Sequence, residues 1–240
     1  MEENMCVCVS YSEVKSEIQQ QLKRKALIPI LGSGFTKGCA SRNGTVPSGA
    51  DYKEYMIDQI MKIRGYDDSK RLDYEKKQFP DISTIYHEIV PKNNQRNYLR
   101  NNFTKVELPL EKKKFLNIHW PYIYTLNSDD AIENNSRYET VIYSNREISH
   151  EIFSTEKCTI KLHGDVYDIL KYEDSKCEIF DLQQYVHSLY ENRILLDKLK
   201  HDYEFTNLMY IGCSLSNEID LLSILSLIHI SEPTRLLSIS

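Results

Sequence analysis

The sequence is poor in the residues that mark special chain classes. Eight glycines and seven prolines in 240 residues exclude a collagen-like or low-complexity chain. No run approaches the roughly 18–20 apolar residues that a membrane-spanning helix needs, so no membrane association is expected. No basic segment followed by an apolar stretch opens the chain, so no signal peptide is expected. Positive charge is also scarce: 30 Lys and Arg stand against 35 Asp and Glu, a net charge of -5. That balance argues against direct nucleic-acid binding, which calls for a basic surface. The six cysteines, Cys6, Cys8, Cys39, Cys158, Cys177 and Cys213, form no C-x-x-C pair. They suit neither a zinc knuckle nor a disulfide framework and read as reduced thiols of a cytoplasmic protein.

What is present is globular in character. Hydrophobic residues make up 41% and charged residues 27%, enough for one sizeable core, or one core with a small inserted lobe. Tyrosine is abundant at 17, so amphipathic rings supply much of the apolar contact.

The residue spacing predicts alternating helices and strands. Val14, Ile18 and Leu22 lie at i, i+4 and i+8, which predicts an amphipathic helix over 11–25 with Ser12 as its cap. Residues 26–31, ALIPIL, suit a buried strand, and the glycine-rich stretch 32–49 a loop. Residues 51–117 are polar with helical apolar spacing in YMIDQIMKI and ISTIYHEIV. They read as a helical lobe inserted after the first loop. Strand-like runs return at YIYTL (122–126), TVIY (140–143), CTIKL (158–162) and CEIF (177–180). A helix over 182–203 and the run NLMYIG complete the pattern. The alternation predicts an α/β fold, a Rossmann-like doubly wound parallel sheet with an inserted helical lobe.

Four strand ends carry polar or glycine clusters, and ligands of open α/β sheets lie outside the carboxyl ends of strands. The first is GSGFTKG, residues 32–38. Glycine lets backbone amides approach a phosphate, but the spacing is not G-x-G-x-x-G, and a tight structural turn fits equally well. No lysine stands in the P-loop position. The second is TLNSDD, residues 125–130, which could bond ribose hydroxyls or simply cap a helix. The third is KLHGD, residues 161–165, where His163 beside Gly164 could act as a general base or be structural. The fourth, YIGCSLSNEID, could meet the far end of a nucleotide or make a strand-to-helix turn.

The end of the chain reads differently. LSLIHISEPTR, residues 225–235, resembles the translation of a sequencing-library adapter, with LLSIS following where index sequence would stand. The alternative is a genuine apolar terminal segment. On the adapter reading, residues 225–240 are non-native and the natural chain is cut near Ile224.

Taken in order, the clusters resemble the SIR2-like family, sirtuin-related NAD-consuming domains, in the branch found in bacterial anti-phage defence. The G-A-G-[VI]-S pattern appears as Gly32-Ser33-Gly34-Phe35-Thr36, and a following G-x-P-S as GTVPS. Thr125, Asn127 and Asp129 match T-x-N-x-D; His163-Gly164 matches the catalytic His-Gly; Gly212 and Ser214 match the late glycine-serine strand end. The likeness spans residues 12–224. Ser33, Phe35, Ser128 and Asn217 depart from the commonest residues, and the four-cysteine zinc module of sirtuin deacylases is missing.

The resemblance implies NAD as substrate and no metal. It places Gly32, Ser33 and Gly34 at the pyrophosphate with a hydroxyl contact from Thr36, Gly212 and Ser214 toward the adenosine, and Phe35, Thr125 and Gly164 among the cofactor-binding residues. Asn127, Asp129 and His163 would carry the cleavage of the nicotinamide–ribose bond. It further implies NAD depletion as a defence, with a homo-oligomer, regulatory domain or partner protein holding the activity in check. A deacylase or ADP-ribosyltransferase, and a non-catalytic NAD or ADP-ribose sensor, are the alternatives.

Overall fold

The computed structural model describes residues 10–138, 140–143, 157–171, 192–213 and, for the backbone, 237–239. The expected strand 177–180, the first half of the helix expected over 182–203, and Ser214 lie outside the described residues.

The sheet follows from short apolar runs that are buried along their whole length. β1 (Leu27–Leu31) is LIPIL and every residue is buried, as a strand covered on both faces requires. β2 is Ile123–Thr125, β3 Thr140–Tyr143, β4 Cys158–Lys161 and β5 Asn207–Ile211. β6, Leu237–Ile239, adds an edge strand beside β5. The order is β3-β4-β2-β1-β5-β6, and every pairing is parallel. An edge ladder can recruit almost any apolar triplet through backbone bonds, so β6 carries no information on the origin of residues 225–240. Pairing of β1 with β2 is confined to Ile30 and Leu31. Pro29 has no N–H to donate and sits before that ladder begins.

Strand alternation divides the core into two layers. Ile28 and Ile30 of β1 face a cluster with Tyr124, Ile160 and Tyr210. Leu27 and Leu31 face the opposite cluster with Ile123 and Met209. Helix α1 (Tyr11–Lys23) lays Ile18 and Leu22 on the second face, together with α7 (Leu110–Leu116) and α8 (Ala131–Asn135). Helix α10 (Arg193–Phe205) covers the first face with Leu195, Leu199 and Tyr203. Helices on both faces of a parallel sheet make the fold doubly wound, as the sequence predicts. The cap of α1 is Ser10, not Ser12: the Glu13 carboxylate accepts from the Ser10 amide at 2.6 Å and its hydroxyl at 2.7 Å. The expected loop 32–49 contains one short helix, α2 (Ser33–Thr36).

The inserted lobe is helical: α3 (Gly49–Arg64), α4 (Asp68–Glu75), α5 (Phe79–Ile89) and α6 (Lys92–Phe103), before α7. Ser48 caps α3, accepting from the Asp51 amide while the Asp51 carboxylate accepts from the Ser48 amide, a reciprocal cap. Gly65 ends α3 in the left-handed conformation. The lobe has its own aromatic core. Tyr98 stacks on Tyr52 at 5.0 Å and on Tyr55 at 3.7 Å. Val166 and Ile169 of α9 (Val166–Lys171) complete that core, so the lobe is seated on the helix that follows the KLHGD turn.

Candidate functional site

The chain runs from β1 outward to β2, then returns to β5 on the other side of β1. The carboxyl edge of β1 is therefore a topological switch point, where such sheets open a crevice. Gly32, Asn127, His163 and Gly212 all stand just past strand ends on this edge.

The glycines close the β1–β5 part of the edge. Gly32 donates its amide to the Ile211 carbonyl at 3.0 Å, and Gly34 donates to Gly212 at 2.9 Å. A methyl group on Gly32 would lie 2.5 Å from the Gly212 carbonyl oxygen, and one on Gly212, with φ +66°, 2.5 Å from the Phe35 amide. These positions need glycine because two backbones cross here, whatever ligand is bound. These contacts make GSGFTKG the tight structural turn that is one of its two readings in the sequence. Phe35 does not face the crevice. Its ring is buried in the core, 5.9 Å from that of Phe115.

The β1–β2 part of the edge is polar and ordered by hydrogen bonds. Thr125 donates its hydroxyl to the Leu31 carbonyl at 3.1 Å and accepts the Asn127 amide at 3.0 Å. Asn127 then turns its side-chain NH₂ toward the first loop. It donates to the Gly32 carbonyl at 3.0 Å and to the Thr36 hydroxyl at 3.1 Å. Thr36 passes its own hydrogen to Asp129 at 2.8 Å. Both amide hydrogens of Asn127 are thus taken, so the atom it can offer a ligand is its acceptor Oδ1. Asp129 also accepts the Ala131 amide at 3.1 Å, starting α8. Its buried carboxyl is held above the ordinary value of 3.8. Burial dominates over the opposing Thr36 hydrogen bond and Lys161 charge. Thr36 and Asp129 are buried and bonded to each other, and both also line the cleft that opens in front of them. The resemblance assigns Thr36 to the ligand and Asp129 to the chemistry.

A cleft of about 110 Å³ opens in front of this array, well above the roughly 10–15 Å³ that one water requires. One wall is Ser33, Thr36, Asn127, Ser128 and Asp129. The other is Val46, Pro47, Tyr52, Phe79 and Phe103. Tyr52, Phe79 and Phe103 belong to the inserted lobe, which therefore forms an apolar wall of the cleft. Nothing in the spacing of 51–117 assigns these rings to a site rather than to the lobe's own core.

His163 lies on the same edge. Thr125 and Lys161 are register partners, and Asn127 and His163 each lie two residues further on. The His163 side chain is half-buried and is not among those lining the cleft. Gly164 is buried in the following turn with φ +87°. Ser214 lies outside the described residues, so the structure places only Gly212 of the fourth cluster.

Two charged residues that sequence reasoning passed over organise this edge. Asp130 accepts the Lys105 and Val106 amides at 2.7 and 2.9 Å and the Tyr167 hydroxyl at 2.6 Å. It clasps the exit of the lobe to α9. Lys161 is buried in the last position of β4 and contacts Glu133 and Asp165. The signal was there for Lys161: a lysine inside the apolar run CTIKL must find carboxylates.

The fold and this edge define an α/β domain with a polar, hydrogen-bonded cleft at the carboxyl ends of its central strands. No family model matches the chain, and no curated protein matches it in sequence.

Proposed function

We propose that the protein is a SIR2-like NAD glycohydrolase, cleaving the nicotinamide–ribose bond to give nicotinamide and ADP-ribose. The observation that carries this reading is the convergence of Ser33 and Thr36 with Asn127 and Asp129, from strand ends some ninety residues apart, on one cleft. The chemistry of the walls fits the substrate. Apolar rings suit a flat heteroaromatic group, and Asn127 presents an oriented acceptor to a sugar hydroxyl. With the Gly32 and Gly34 amides bonded to Ile211 and Gly212, Ser33 is the loop residue that would meet a phosphate.

The bond to be broken joins a sugar carbon to a ring nitrogen. Its cleavage builds positive charge on the ribose, as in other glycosidic reactions. Asn127 would hold the ribose hydroxyls so that the sugar cannot rotate away from attack. His163 would take a proton from a ribose hydroxyl or from the attacking water. Asp129 and Thr36 would keep Asn127 in the required rotamer. Thr125, Gly164, Gly212 and Phe35 act through the backbone or the core. NAD depletion as an anti-phage defence, restraint by an oligomer or partner, and a cytoplasmic setting belong to the same proposal.

One observation favours a second reading, a sensor that binds NAD or ADP-ribose without turnover: His163 lies outside the cleft lining. Nicotinamide release from NAD by the whole chain, with and without an acyl-lysine peptide, separates the possibilities. Release without peptide supports the glycohydrolase. Release only with peptide makes it a deacylase, and NAD binding without release makes it a sensor.

A further inference from the structure

Lys161 is fully buried, with 0% exposure, at the point where β4 ends. Its ammonium reaches four groups on three segments. It donates to the Asp129 carbonyl at 2.7 Å and more weakly to the Ser128 carbonyl at 3.4 Å. It contacts Glu133 of α8 at 2.6 Å and Asp165, four residues along its own chain, at 2.7 Å. Asp165 uses its other oxygen to cap α9, accepting the Tyr167 amide at 2.9 Å. The Val166 amide in turn donates to Ser128 at 2.9 Å.

A single buried cation thus binds the turn that carries Asn127 to the turn that carries His163. An ammonium is a point charge with three donors and no acceptor, and here all of its partners are anionic or carbonyl oxygens. The carboxylates of Glu133 and Asp165 flank it, so the lysine is their shared counter-charge. Burial without these partners would expel its proton; with them it stays charged.

We propose that Lys161 is a positioning residue that fixes the register of the Asn127 and His163 turns, and with it the distance between acceptor and base. The effect on turnover rests on the NAD reading; the effect on the turns does not. Misplacement of a reacting group by about 1 Å lowers turnover by about a hundredfold, which a binding contact alone would not do.

The test is hydrogen exchange on Lys161→Met beside the unaltered chain, followed by NAD binding and nicotinamide release. The expected result is a loss of protection of about tenfold or more at the amides of Ala131, Leu162 and Val166. Gly32 and Asn207, bonded across β1 and β5, would remain protected. Uniform loss over the sheet would mean a general stability role, and no change would mean no role; either overturns the proposal. Where the unaltered chain releases nicotinamide, Lys161→Met is expected to lose about a hundredfold in turnover with NAD affinity nearly unchanged. An equal loss of affinity overturns the positioning role. Where the unaltered chain releases none, the glycohydrolase reading fails while the exchange result still decides the lysine's role. Should Lys161→Met not fold, Glu133→Gln removes one carboxylate and leaves the Asp165 pair, and the same amides are expected to respond.

Discussion

Thr36 donates its hydroxyl to Asp129 across 2.8 Å, joining the turn after β1 to the turn after β2. The bond spans 93 residues of sequence and leaves Thr36 to receive Asn127. Removing the hydroxyl alone, in Thr36→Val, strands a buried carboxylate oxygen and an amide hydrogen. A loss of about 1–3 kcal/mol is expected, while Thr36→Ser keeps the bond. Urea unfolding of the two variants measures the difference.

Asp129 has a folded pKa above its ordinary 3.8, chiefly because it is buried. The sign follows by linkage. Its contribution to stability is fully present below the ordinary value and is lost as pH rises through the raised one. The stability of the unaltered chain relative to Asp129→Asn should therefore fall as pH rises above about 3.8. Unfolding of both proteins across that range checks it. A difference independent of pH would show that Asp129 titrates normally.

Gly212 is forced by the Phe35 amide beside it. Gly212→Ala puts a methyl at 2.5 Å and keeps a φ of +66°, so a loss of about 1–3 kcal/mol from backbone strain is expected before the clash is counted. Thermal unfolding measures it.

Asp130 is expected to matter more to the lobe than its position in a polar turn suggests. Asp130→Ala leaves the Lys105 and Val106 amides without their acceptor, for a loss of about 2–4 kcal/mol. Tyr167→Phe removes one bond to that carboxylate and leaves both amides satisfied, so a smaller loss of about 1.5 kcal/mol is expected. Denaturant unfolding of the pair ranks them.

The sheet was largely legible because parallel strands buried on both faces appear as unbroken apolar runs. LIPIL, YIYTL and CTIKL each became a strand within a residue of the expected limits. The strand-end clusters were legible because polar residues immediately after such runs have little choice but the carboxyl edge. What the sequence hid depends on pairing over distance. The bond between Thr36 and Asp129 joins two motifs 93 residues apart, a pairing that neither motif announces. Phe35 stands in a binding pattern yet points into the core. Tyr52 and Phe103 obey helical spacing and still face the cleft. Lys161 passed as one polar residue in a strand because its partners Glu133 and Asp165 come from a helix and a turn.

The central claim is that the cleft binds NAD and that Asn127 and His163 act on it. The most direct test compares NAD affinity and nicotinamide release for the whole chain, Asn127→Ala and His163→Ala. The expected result is release by the unaltered chain, loss of release in both variants, and affinity retained in His163→Ala. Release undiminished by His163→Ala, or no NAD binding by the unaltered chain, would contradict the account.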